Sequence, residues 1–290
     1  MVEIFSKKEI EKIALDILVC SSSLDVFPTP VDNIIQFTEL TVKQESNLTE
    51  IDFNYSKHQS ETLKSALSKI QGILDREEKL IYIDKSLKKE KKNFVKLHEV
   101  GHDVLPWQKS LHTILQDDEN SLSEFANEEF EGEANYFASA VIFQLDRFNH
   151  ELDKLDLSLN SAMKLSKFFG ASVHSAIRRY IECSKNRCAL LVLENVTRKG
   201  EPPFCYKRDY FQSPAFTDTF GTIPLPTQFG YKWNFTKDYY HNKKIHDKGE
   251  ITLPTENGDA DFNYHFFNNT YNAFVFFFPY SEKKSPKIVY

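Results

Sequence analysis

His98, Glu99 and His102, in the stretch "FVKLHEVGHDV" (94–104), stand at the spacing of two metal ligands with a carboxylate beside them. On an α-helix, residues four apart lie one above the other, so both imidazoles can reach a single ion, and zinc suits them. A catalytic zinc takes three protein ligands and keeps a position for water. Glu99 would then accept a proton from a water attacking a peptide carbonyl and pass it to the leaving amine. The competing interpretation is a helix surface that carries two histidines, in a chain that has nine.

The third ligand decides between subgroups. One zinc-helix pattern puts a glycine and a further histidine where this chain has Leu105 and Gln108. His112 lies past Pro106 and outside that spacing. A later helical stretch offers Glu131 and Asn135, one turn apart, so that Glu131 can bind the ion while Asn135 hydrogen-bonds a ligating histidine. Glu133 is the rival, directed about 160° away from Asn135 around a 3.6-residue helix.

Several elements must position these groups. "KLIYIDKSL" (79–87) contains a short β-favouring run and reads as a strand. The motif helix is expected from Asn93, a capping residue, to just before Pro106, whose ring disfavours helical geometry at Leu105. Ala134, Phe137, Ala138, Val141, Ile142 and Leu145 form an apolar stripe that predicts a second helix over about 128–146. Residues 3–19 and 29–40 show helical spacing, and 159–183 reads as helix, turn at Gly170, helix, the outline of a helix-turn-helix.

From about 188 the chain turns to short Phe-, Tyr- and Val-rich runs punctuated by Pro, Gly and Asn, with Asn257-Gly258 as a hairpin signal. Phe262, Tyr264, Phe266, Phe274, Phe276 and Phe278 alternate as strands with one aromatic face against a core would. The expected organisation is a peptidase domain over 1–150, a helix-turn-helix-like segment over 151–187 and a β-rich C-terminal domain over 188–290.

The bulk properties fit a globular protein. At 290 residues and 41% hydrophobic the chain can bury a sizeable core, and a net charge of −6 gives no general nucleic-acid coat. Charged residues interrupt the N-terminal apolar positions, and "AFVFFFPY" is too short to span a bilayer, so a cytoplasmic protein without a membrane partner is expected. Cys20, Cys183, Cys188 and Cys205 form no CxxC pair and read as buried free thiols.

"IYIDKSLKKEKKNFVKLHEVGH" (81–102) followed by "EGEANYFASAVIF" (131–143) resembles the ImmA/IrrE family of bacterial zinc peptidases, and "TPVDNIIQFTELTV" is similar to that family's N-terminal helix. The expected fold is α+β: a helical zincin-like peptidase domain with a small sheet, helix-turn-helix-like helices and a β-rich C-terminal domain, which by analogy with the family's longer members senses a signal or recruits a partner. The resemblance implies zinc held by His98, His102 and Glu131, with Glu99 as the base. It also implies a protein substrate, a helix-turn-helix transcriptional repressor whose cleavage triggers a stress or mobile-element response. The family's usual Leu-Met-Pro after the second helix is replaced here by "IFQLDRF".

A non-proteolytic anti-repressor with a structural zinc is the alternative from another class. Arg178 and Arg179 are the candidates for nucleic-acid contact, in a segment with only a small positive surplus. Lys85, Lys88, Lys89, Lys91, Lys92 and Lys96 form a basic run that reads as a solvated loop or as a means of steering an acidic or DNA-bound substrate. Tyr82, Tyr136 and His150 are the candidates for stabilising an oxyanion, and strand 80–84 for holding an extended substrate by strand addition.

Overall fold

The structure is a computed structural model that describes residues 4–45, 72–109, 124–197 and 202–282. It is mixed helix and sheet, with a helical region and a β-rich C-terminal part. Two compact units are present, Met1–Phe148 with Lys167–Ser172, and Asn149–Ser166 with Val173–Tyr290.

The first unit contains α1 (Ile4–Cys20), α2 (Val31–Phe37), β1 (Thr41–Glu45), β2 (Gly72–Asp75), β3 (Leu80–Asp84), α3 (Lys89–Val104) and α4 (Glu124–Ile142). Its sheet has the order β1-β3-β2, with β1 parallel and β2 antiparallel to β3. Ile81 and Ile83 are fully buried, and Ile83 pairs with Gly72, whose missing side chain faces Val95 and Glu99 of α3. The sheet thus lies against the motif helix through alternate residues. Strand β3, expected to accept a substrate strand, has partners on both sides; among the described residues, the edge next to α3 belongs to β2.

Helix α3 begins at Lys89, not at Asn93, and no side chain caps it. The residues before Asn93 are lysines and a glutamate, good helix formers that carry the helix back by a turn. Four of the six lysines of the basic run therefore lie on α3 rather than in a loop, and Lys96 pairs with Asp32 at 2.7 Å while Lys92 donates to Gln44 at 3.0 Å. The helix ends as expected: Leu105, before Pro106, is extended with φ −75° and ψ 110°.

Helix α4 stops earlier than its apolar stripe predicts. Gln144 and Leu145 take positive φ (48° and 58°), and the Leu145 N–H closes on the Ala140 carbonyl at 3.1 Å. Gln144 is fully buried there; its amide donates to the carbonyls of Ser23 and Val26 and to the Thr29 hydroxyl, and its oxygen accepts from the Asp25 N–H at 2.8 Å. The "IFQLDRF" segment thus staples the α1–α2 connection to the end of α4.

Next along the chain come α5 (Arg147–Leu152), α6 (Leu159–Phe169) and α7 (Val173–Cys183), with Gly170 at φ +70° between the last two. In the second unit follow β4 (Ala189–Glu194), β5 (Phe204–Gln212), α8 (Pro214–Phe220), β6 (Gln228–Gly230), α9 (Asn234–Tyr240), β7 (Ile245–Thr255), β8 (Gly258–Asn268) and β9 (Ala273–Pro279). The sheet order is β6-β5-β4-β9-β8-β7, antiparallel throughout. The predicted hairpin is present as β7–β8; Thr255 pairs with Gly258, so the loop is Glu256-Asn257, with Gly258 at φ +101° following it.

The aromatic alternation does not make a single face. Phe262, Tyr264 and Phe266 join the core with Ala273, Val275 and Phe277, whereas Phe274 and Phe276 meet His174 and Tyr180 of α7 on the opposite face. Period 2 fixes alternation within a strand but not the phase between neighbouring strands, and β9 is buried on both faces. Of the cysteines, Cys188 and Cys205 are buried as expected, Cys183 is half-buried and Cys20 is exposed.

Candidate metal centre

Helices α3 and α4 cross closely because Gly101 faces Ala134: a Cβ at Gly101 would lie 3.1 Å from the Phe137 ring and 3.2 Å from the Ala134 Cα. Gly101 immediately precedes His102, so this close approach carries both histidines to Glu131. The His98 and His102 Nε2 atoms are 3.1 Å apart, Glu131 Oε2 is 3.2 Å from His98 Nε2, and Glu131 Oε1 is 3.3 Å from His102 Nε2. Among the described residues, this is the group of His, Cys, Asp and Glu side chains that could hold a metal ion.

The donor set fits zinc. A tetrahedral ion with bonds of about 2.0–2.1 Å to nitrogen and oxygen has donor–donor edges of roughly 3.3 Å, close to the separations found here. Two imidazole nitrogens and a carboxylate oxygen also match the borderline-soft character of that ion.

Each imidazole is held from behind. His98 Nδ1 is 3.2 Å from Asn135 Oδ1, the contact the i, i+4 spacing predicted. His102 Nδ1 is 2.8 Å from Gln108 Oε1. Gln108 is fully buried, and its Nε2 donates to Glu133 at 2.8 Å and to the Phe130 carbonyl at 3.1 Å. Glu133 also accepts from Trp107 Nε1 at 2.6 Å. The rival ligand Glu133 is therefore a buried acceptor on the far side of the Glu131 helix face, and His112 lies outside the described residues.

Glu99 is 6% exposed, and burial pushes its carboxyl up to about 7, with His102 opposing that rise and Glu131 adding to it. Its other neighbour is the backbone of β2 at Gly72. The turn after β2 grips the end of α3: Arg76 donates to the His102 carbonyl at 2.9 Å, and Lys79 bonds both oxygens of Asp103 at 2.8 and 2.9 Å.

Of the oxyanion candidates, Tyr82 and Tyr136 have partners within the first unit. Tyr82 alternates with the inward Ile81 and Ile83, so it projects from the sheet face opposite α3, with Lys43 over its ring. Tyr136 donates to Glu11 of α1 at 2.5 Å. His150 is on α5, in the second unit. Arg178 bonds Glu182 at 2.8 Å and stacks on Phe211, while α7 buries Ala176, Ile177, Tyr180 and Ile181 in its own unit; the Arg179 Nε is buried as well.

Sequence reasoning missed Gly72, Arg76, Trp107, Gln108 and the role of Glu133. Gln108 was visible only as a residue that is not histidine, and its function depends on the turn after Pro106 returning it beneath His102.

No curated protein sequence matches this chain. Among solved structures, a Mycobacterium tuberculosis transcriptional regulator is similar at 12% identity, over 93% of this chain and 75% of that one, with a TM-score of 0.55. At that identity the likeness shows a shared fold. No described helix is long and apolar enough to cross a membrane. Residues 54–180 match the family model Peptidase_M78, an IrrE N-terminal-like domain, and all the residues of the centre fall inside that segment. This match supports membership of the ImmA/IrrE family.

Proposed function

We propose that the protein is a zinc-dependent endopeptidase that cleaves one specific protein in the cytoplasm, a helix-turn-helix transcriptional repressor, and thereby switches on a stress or mobile-element response. The observation that carries the reading is the convergence of His98, His102 and Glu131 at 3.1–3.3 Å with buried Glu99 beside them. A zinc ion held by these three side chains supplies Lewis acidity toward the scissile carbonyl and toward water. Glu99, with its carboxyl raised toward neutrality, takes the proton from the attacking water and delivers it to the leaving nitrogen. Among the described residues β2 has an outer edge, with Gly72 next to Glu99, which suits an extended peptide added as a further strand.

Purified protein incubated with a co-encoded repressor should give discrete fragments, and chelator should stop the reaction. Glu99→Gln should retain zinc and bind the repressor without cutting it. If Glu99→Gln cut at the wild-type rate, the assignment of Glu99 would be lost. Fragment-free binding by the wild type would point instead to an anti-repressor.

A further inference from the structure

The buried relay behind His102 determines more than where that ring sits. Gln108 Nε2 lies within hydrogen-bond distance of two oxygens, Glu133 Oε2 at 2.8 Å and the Phe130 carbonyl at 3.1 Å. A carbonyl oxygen and a carboxylate accept and cannot donate, so the amide has one satisfactory orientation, nitrogen toward Glu133 and oxygen toward His102. That oxygen, 2.8 Å from His102 Nδ1, is in turn an acceptor, so a neutral His102 must carry its proton on Nδ1. The lone pair is then on Nε2, the atom that faces Glu131 and His98 at 3.3 and 3.1 Å. Reversing the amide would set its NH2 against the imidazole and turn its oxygen toward Glu133 Oε2 and the Phe130 carbonyl, two acceptors with which it cannot hydrogen-bond.

His98 is held differently. Its partner Asn135 is exposed, so water can satisfy either orientation of that amide. The two ligand rings are thus unequally fixed, one by a fully buried amide anchored on a carboxylate and one by a surface residue.

We infer that Glu133, acting through Gln108, is a positioning residue that locks His102 in the Nδ1–H form and so keeps its Nε2 lone pair aimed into the metal centre. Trp107, donating to the same Glu133 oxygen at 2.6 Å, steadies the carboxylate for this task. The inference rests on the metal-peptidase reading for its purpose, but the tautomer can be observed without metal or substrate.

The test is long-range ¹H–¹⁵N correlation of the imidazole nitrogens in metal-free protein at about pH 8, above the ordinary histidine range, joined to zinc affinity measured by competition with a chromophoric chelator. Wild-type His102 should show the Nδ1–H pattern. Gln108→Met, similar in volume and without the amide, should lose that pattern and bind zinc about 10–100-fold more weakly. Glu133→Gln, which can still present an oxygen to both donors, should keep the pattern and stay within about threefold of wild-type affinity. Glu133→Leu should behave as Gln108→Met does, and it serves as the probe if Gln108→Met fails to fold. An Nε2–H His102 in the wild type, or wild-type tautomer and affinity in Gln108→Met or Glu133→Leu, would overturn the inference. A wild type that holds the Nδ1–H form yet binds no zinc would instead defeat the peptidase reading and leave the relay standing.

Discussion

Gly72 and Glu99 share a space that a single added methyl would fill: a Cβ built on Gly72 falls 2.9 Å from Glu99 Oε1 and 2.2 Å from Val95 Cγ1. The bare backbone of β2 is therefore the wall against which the buried carboxylate rests. Val95 is β-branched on a helix and has little rotamer freedom to yield. Gly72→Ala should push β2 away from α3 or turn Glu99 aside, costing about 1–3 kcal/mol in stability as an overpacked core does. Cleavage should fall by at least about tenfold, since an ångström of misplacement at a reacting group costs up to a hundredfold. Zinc content should stay near one per chain, because no metal ligand touches the new methyl. Denaturant melts, metal analysis and a cleavage assay on the same preparation separate these effects, and unaltered cleavage would show that the wall does not position Glu99.

Gly101 has the corresponding role between the helices. Its α-carbon faces Ala134 with the Phe137 ring at one side, and a Cβ would meet contacts of 3.1 and 3.2 Å. Gly101→Val places two further methyls there, more than a few tenths of an ångström of relaxation can accommodate. Widening the helix pair withdraws Glu131 from both histidines at once. The expected outcome is a loss of about 2–4 kcal/mol together with zinc affinity reduced by at least tenfold. Calorimetry with and without zinc checks it: the stabilisation zinc gives the wild type should shrink in the variant. An unchanged zinc-dependent shift would mean that the helix spacing does not set the ligand geometry.

The motif residues were legible in the sequence because helix periodicity alone relates them. His98 to His102 and Glu131 to Asn135 are each one turn apart, and no knowledge of the rest of the fold is needed to put either pair on one face. The relay through Gln108 was not legible, since it joins the residues after Pro106 to α4 through side chains that no periodicity connects. The start of α3 was misread because Asn93 is a good cap in isolation, while the lysines and Glu90 before it favour helix strongly enough to pass through it. In the C-terminal sheet, alternation in β8 and β9 was visible, but strand pairing set their relative phase, so Phe276 and Phe266 ended on opposite faces.

Gln144 makes a separate prediction about stability. Its fully buried amide satisfies three acceptors and one donor in the α1–α2 connection, at a helix end where two successive residues hold positive φ. Gln144→Ala would strand the Ser23 and Val26 carbonyls and the Asp25 N–H, partly open to water. A loss of about 2–4 kcal/mol follows, near the upper range for single substitutions that orphan buried polar groups. Because Gln144 is two residues past α4, zinc binding by the folded fraction should be unaffected. Urea unfolding at saturating zinc measures the first quantity and chelator competition the second. A variant as stable as the wild type would show that water replaces the amide without cost.

The four cysteines should differ in reactivity in an order set by burial. Cys20 is exposed at the end of α1, and Cys183 is half-buried with its thiol pushed up by burial. Burial pushes the Cys188 thiol up to about 12 and that of Cys205 to about 11, with Cys188 enclosed beside Ser213, whose hydroxyl accepts the Cys188 N–H at 3.1 Å. The thiolate is the nucleophile, and a raised pKa means less thiolate at neutral pH, about tenfold less for each unit above the ordinary value near 8.5. Both effects act in the same direction at Cys188 and Cys205. Iodoacetamide at neutral pH should therefore label Cys20 first, Cys183 more slowly, and Cys188 and Cys205 only when denaturant is present. Raising the pH to about 9 should not open the two buried sites, because the thiolate fraction there remains small and the barrier is access. Peptide mass spectrometry over a time course follows each site, and native-state labelling of Cys188 at the rate of Cys20 would contradict the burial of β4 in the second unit.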